Sequence, residues 1–159
     1  MIDKIDQELI LQLQKNGRES YSDLAEKCHL SETAVRYRVK KLINEGLINI
    51  TAIPNLKLLG YDFMAIVGLQ VHLADLQMTA DSLVKHSIVC YLANVTGRFD
   101  MIAIVVTKTT KEFADFVQEV ISVMPSVSRT ETFVNLNTYV GQVSGLDAAS
   151  LIRNLAILR

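Results

Sequence analysis

Residues 31–47, Ser-Glu-Thr-Ala-Val-Arg-Tyr-Arg-Val-Lys-Lys-Leu-Ile-Asn-Glu-Gly-Leu, decide how the first third of the chain is read. At about 100° per residue, Val35, Val39, Leu42 and Ile43 fall on one side of a helix, forming the apolar stripe that packing requires. Thr33, Tyr37, Lys40 and Lys41 fall opposite, and Arg36 and Arg38 flank the stripe. Four cations within six residues thus point at whatever lies in front of the helix, as contacts to a phosphate backbone demand. Ser31 is a suitable N-cap and Gly46 a suitable stop. Taken alone, a basic face is more often simply solvated.

The residues upstream shift that balance. Ile5, Leu9 and Leu13 recur at four-residue steps, with Ile2 and Ile10 beside them and acids in the first turn, which predicts a helix over 3–15. Asn16 and Gly17 end it. Ser20, with Asp23 three residues on, opens a short helix running to Cys28, with Leu24, Ala25 and Cys28 on its buried side. His29 and Leu30 then connect tightly to Ser31. Helix, short helix, turn and longer helix is the helix-turn-helix order, whose last element enters the major groove of DNA. After Gly46, the run Leu47 to Ile53 alternates enough to predict a strand, the wing of a winged variant.

A chain of 159 residues has room for two small domains. Its net charge of −1 gives no global bias toward nucleic acid, and cations and acids nearly balance over residues 1–53. Binding must therefore come from a local patch, doubled by dimerisation. Half the residues are hydrophobic and the mean hydropathy is positive, which points to buried subunit interfaces. No apolar run has the length of a membrane span or signal peptide, so a cytoplasmic protein with no membrane partner is expected. Cys28 and Cys90 read as buried thiols, and with His29, His72 and His86 they show no metal-ligand spacing. No metal and no cofactor are expected. Neither a glycine-rich phosphate loop nor an acid, base and nucleophile set can be assembled, which argues against an enzyme.

Pro54 and Asn55 interrupt the pattern, and residues 54–62 read as a linker. A second domain over 63–140 follows. Phe63 to Leu73 and Met101 to Val106 are apolar almost without a break, as in strands covered on both faces. Helices are predicted over 74–86 and 110–124, and further strands over 88–96 and 127–136. Thr109 and Glu112 form a capping box for the second helix, whose stripe is Phe113, Phe116, Val117, Val120, Ile121 and Met124. The order β-α-β-β-α-β is the ferredoxin-like split unit, and with the helix-turn-helix it gives an α+β chain. Two helices cover one face of such a sheet, so the other is expected to bury itself against a second copy. Residues 141–159 read as a flexible joint and a short amphipathic helix.

Two sets of residues carry candidate chemistry. Arg36, Arg38, Lys40 and Lys41 supply charge for DNA, while Ser31, Thr33 and Tyr37 stand where they can reach bases or phosphates, Ser31 equally well being a pure cap. Thr96 to Asp100 offers what a free amino acid needs. Gly97 allows a tight turn with exposed N–H groups, Thr96 adds a hydroxyl and Asp100 a carboxylate. The same glycine suits an ordinary hairpin.

Several pieces of sequence then match one family in order and spacing. These are Asp3-Lys4-Ile5-Asp6, Leu9-Ile10, Gly17-Arg18, Asp23-Leu24-Ala25, Leu30-Ser31, Arg38-Val39-Lys40-Lys41-Leu42, Gly46-Leu47-Ile48, Leu59-Gly60, Thr96-Gly97-Arg98-Phe99-Asp100 and Thr130-Glu131-Thr132. From Ile2 to about Val140 the chain resembles the Lrp/AsnC, or feast/famine, family of transcription regulators. The resemblance implies a winged helix-turn-helix joined to the ligand-sensing RAM domain, binding to double-stranded promoter DNA, and homodimers that often associate into octamers. It also implies a small-molecule effector, commonly an amino acid held between dimers, and makes Thr96, Gly97, Arg98 and Asp100 effector-binding candidates, joined by Thr130 and Thr132. Arg38 matches the family's basic position, where a phosphate clamp is expected. The runner-up reading is an architectural DNA-binding protein with no effector.

Overall fold

A computed structural model describes residues 2–138 and divides into two compact units between residues 52 and 53. The tail helix expected beyond residue 140 lies outside the described residues.

The first unit holds three helices, α1 (Lys4–Lys15), α2 (Tyr21–Lys27) and α3 (Glu32–Asn44). Each begins at a side chain that satisfies a backbone donor left over at a helix start. Asp3 accepts from the Asp6 N–H and Asp6 accepts in return from the Asp3 N–H, a closed capping box. Ser20 accepts from the Asp23 N–H and Ser31 from the Ala34 N–H. Leu9, Leu13, Leu24, Ala25, Val35 and Val39 make the core, and Leu42 is buried as the stripe predicts. Ile43 is not, being 41% exposed at the outer edge of that stripe. The turn from α2 to α3 passes through His29 at φ 54°, and Gly46 at φ 69° ends α3.

The wing strand expected over Leu47 to Ile53 does not form. Among the described residues the first unit contains no other strand, so this segment has no ladder to join. Its Ile48 instead packs on the three-helix core.

The second unit runs β1 (Phe63–Val71), α4 (Leu76–Leu83), β2 (Val89–Asn94), β3 (Met101–Thr107), α5 (Thr110–Phe116) and β4 (Val127–Val134). A wider π turn over Val117–Ile121 prolongs α5. The sheet order is β2-β3-β1-β4 with every pair antiparallel, the split βαββαβ arrangement expected. Val67 sits between Ala103 and Thr132 and sets the register. Ala65, Val67, Leu69, Met101, Ala103 and Val105 face the helices and pack with Leu83, Phe113, Phe116 and Ile121. Alternation sends Met64, Ile66, Gly68 and Gln70 of β1, with Ile102, Ile104 and Val106 of β3, to the other face. Thr109 caps α5 through the Glu112 N–H, but the Glu112 carboxylate returns to the Lys108 N–H, one residue earlier than a standard box.

Residues 54–62 do not behave as a free linker. Leu56 and Tyr61 pack with Cys90, Val106, Met64 and Ile104, and Gly60 at φ 83° closes a short turn over Lys57–Leu59. Among the described residues no helix is long and apolar enough to cross a membrane.

Candidate nucleic-acid interface and effector site

Val35, Val39 and Leu42 hold α3 against the core and leave its polar residues outward. Thr33, Tyr37 and Lys40 are exposed, Tyr37 by 70%. The outward cations differ in their company. Arg36 pairs with Glu32 at 2.9 Å and lies over the Tyr21 ring, 4.9 Å from its centroid. Lys41 stands 3.9 Å from Glu45. Lys40 has no ion pair among the described residues. Ser31 acts as a cap, which uses its Oγ as an acceptor and leaves its O–H available.

Arg38 is placed differently from the expectation of an open phosphate clamp. Its Nη1 donates to Asp3 Oδ2 at 2.6 Å and to Asp6 Oδ1 at 2.7 Å, so it ties α3 to the start of α1. The two hydrogen bonds, to Asp6 first and Asp3 second, raise the Arg38 pKa above its ordinary value. The capping pattern at Asp3 and Asp6 marks the start of α1 in the sequence without pairing either acid with Arg38.

In the second unit, Thr96, Gly97 and Arg98 form the exposed connection from β2 to β3, with Gly97 at φ 124°. Asp100 is engaged: its Oδ2 accepts from the Val71 N–H at 2.9 Å, where the β1–β4 register shifts. Arg98 pairs with Glu131 at 3.0 Å and lies over the Phe99 ring, while Gln70 donates to the Arg98 carbonyl. Phe99 in turn covers Gly68 and meets Phe133 edge-on, with ring centroids 6.4 Å apart. One protomer does not bring the whole candidate set together. Thr130 pairs with Leu69 and Thr132 with Val67, which places both on the helix side of the sheet, opposite Glu131 and its Arg98. Phe99, Phe133, Gln70 and Glu131 belong to the cluster without having been candidates. Gly68, a glycine inside an apolar strand, was the signal that another group comes close there.

Two family models match this chain. One, winged helix-turn-helix DNA-binding, covers residues 2–49, and the other, the Lrp/AsnC ligand binding domain, covers residues 64–144. The chain belongs to the Lrp/AsnC family of transcriptional regulators. This Lrp/AsnC protein is similar to the transcriptional regulator FL11 of Pyrococcus abyssi, 32% identical over 139 residues, which are 87% of this chain and 91% of the relative. It is also 29% identical over 140 residues to the regulator Ptr1 of Methanocaldococcus jannaschii, covering 87% and 95% of the two. Among solved structures, E. coli AsnC superposes with a TM-score of 0.83 at 23% identity, over 89% of this chain and 97% of AsnC. A Neisseria meningitidis regulator solved as an L-Met complex gives 0.82 at 21%, over 95% and 99%. At such identities the structures speak for the fold. The Lrp/AsnC chain is thus a DNA-binding transcriptional regulator with a ligand-binding domain, and its family and relatives are regulators rather than enzymes.

Proposed function

We propose that the regulator recognises promoter sequences through Ser31, Thr33, Arg36, Tyr37, Lys40 and Lys41 of α3, and that an amino acid bound in the second unit modulates that binding or the assembly of copies. The observation that carries the first half is the exposed polar face of α3, held outward by three buried residues. The effector half is supported by the match to the family's ligand binding domain and by the L-Met complex of the Neisseria regulator. The effector set is Thr96, Gly97, Arg98 and Asp100, with Thr130 and Thr132 supplied across an interface, since they occupy the other face in a single protomer. No cofactor takes part.

The open face of the sheet supports a homodimer, and dimers would associate further into an octamer. Ile66 and Tyr91 there are 38% and 43% exposed, beside the partly buried Ile102 and Ile104. A second copy is the occupant that also doubles α3 for two half-sites.

A thermal-shift screen against the twenty amino acids, with light scattering alongside, tests the effector half, since a ligand bound to the folded state raises the melting temperature. One or a few amino acids should raise it, and Thr96→Val should abolish the shift. Asp100→Asn is the better second variant than alanine, because an amide oxygen can still accept the Val71 N–H. A flat screen, together with uniform protection of DNA in place of discrete footprints, would leave the architectural reading in possession.

A further inference from the structure

Arg38 lies about 100° round the helix from Tyr37. Its side chain is 27% exposed, and one nitrogen serves both Asp3 and Asp6. Asp6 is 5% exposed, so its carboxylate is largely out of water and requires a partner. Two carboxylates against one guanidinium leave little charge to offer a phosphate. Swinging Arg38 toward DNA would also leave the Asp6 carboxylate without a counter-charge, bonded only to the Asp3 N–H.

The apolar contacts beneath α3 are non-directional, so on their own they fix its rotation about its axis less sharply than hydrogen bonds do. At a side-chain radius of about 5–6 Å, a 20° turn moves the outward groups by roughly 2 Å, enough to lose a base-edge hydrogen bond. The Arg38 bonds are directional, and they join α3 to the first turn of α1, itself fixed by the Asp3–Asp6 capping box. We infer that Arg38 is a positioning residue: through Asp3 and Asp6 it sets the rotation of α3 that aims Thr33, Tyr37 and Lys40 at DNA, and it touches no phosphate itself. The inference rests on α3 being the DNA-reading element.

The test uses the full chain and two labelled duplexes, one selected from a random pool by the wild-type protein and one scrambled from it, each titrated over a range of salt. Arg38→Gln should bind the selected duplex about tenfold more weakly, the scrambled one nearly as well, and keep the wild-type slope of log Kd against log salt. Lys40→Gln should flatten that slope by about 0.9 for each bound copy, roughly 1.8 for a dimer. Asp6→Ala is the deciding variant, since unlike asparagine it leaves no side-chain oxygen to accept from Arg38. Removing an acid from a DNA-binding surface should tighten binding if only charge matters, whereas loss of the latch should weaken selective binding as Arg38→Gln does. Arg38→Lys should recover part of the selectivity, and it stands in if Arg38→Gln does not fold. A slope flattened by Arg38→Gln, with Asp6→Ala neutral or tighter, would make Arg38 a phosphate contact and overturn the inference. Failure of the wild-type protein to select any duplex would instead remove the DNA reading beneath it.

Discussion

A Cβ built on Gly68 would lie 2.6 Å from the Phe99 ring, so this position in β1 admits no side chain while the ring is in place. Gly68→Ala should therefore destabilise the second unit by about 1–3 kcal/mol, the range for overpacking, read from a urea midpoint, and Phe99→Leu should return part of it. Asp3 offers a second test. Its pKa is held below the ordinary carboxylate value, first by the Asp6 N–H and then by the Arg38 side chain. A depressed folded pKa gives stability that is whole above the ordinary value of 3.8 and is lost as pH falls through the lower folded value. Wild type should thus be more stable than Asp3→Asn at neutral pH, and the gap should close below about pH 4 in acid titrations followed by circular dichroism. The residue scale was the least legible in the sequence. Arg38 reads as one more cation in a basic helix because its acidic partners lie more than thirty positions away, and nothing in a strand pattern announces that Asp100 serves the Val71 N–H.

Elements were read more faithfully, because periodicity reports which side is buried. The stripe through Val35, Val39 and Leu42 and the run Phe113, Phe116 and Ile121 are buried as spaced. Ends moved where local signals met tertiary limits. The helix expected over 74–86 starts as a 3-10 turn at Leu73–Asp75 and closes at Leu83, and the strand expected over 88–96 is ordered into the sheet only from Val89 to Asn94. The wing strand failed for a related reason, since pairing needs a partner that alternation within one segment does not reveal. Caps could be read from sequence, though not apportioned: Ser31 was equally a cap and a base contact, and the structure gives it the Ala34 N–H. Ser31→Ala should cost the first unit about 1 kcal/mol, and Ser31→Asp should keep most of that stability, both measured by thermal melting. His29 holds the turn between α2 and α3 at a positive φ that side chains disfavour. His29→Gly should stabilise the unit by up to about 1 kcal/mol in the same assay, offset in part by the freer unfolded chain.

For the molecule as a whole, the sheet's two apolar faces were legible from β1 and β3, whose residues alternate between helix side and open side with few polar interruptions. The helix side is filled by α4 and α5. Ile66→Lys is tolerable in an isolated protomer, where the residue is 38% exposed, but should drive a dimer built on the open face to monomers in light scattering at micromolar concentration. A variant that remained dimeric would place the interface elsewhere. The candidate effector set was only half legible at this scale, because the sequence brings Thr130 and Thr132 near β1 without saying which face they take. The hairpin from β2 to β3 carries a further consequence. Phe99 travels with that hairpin, yet its ring plugs the notch at Gly68 in the middle of the sheet. Any molecule that pulls residues 95–100 outward unplugs a phenyl-sized socket on the open face, and any partner that fills the socket first keeps the hairpin from closing.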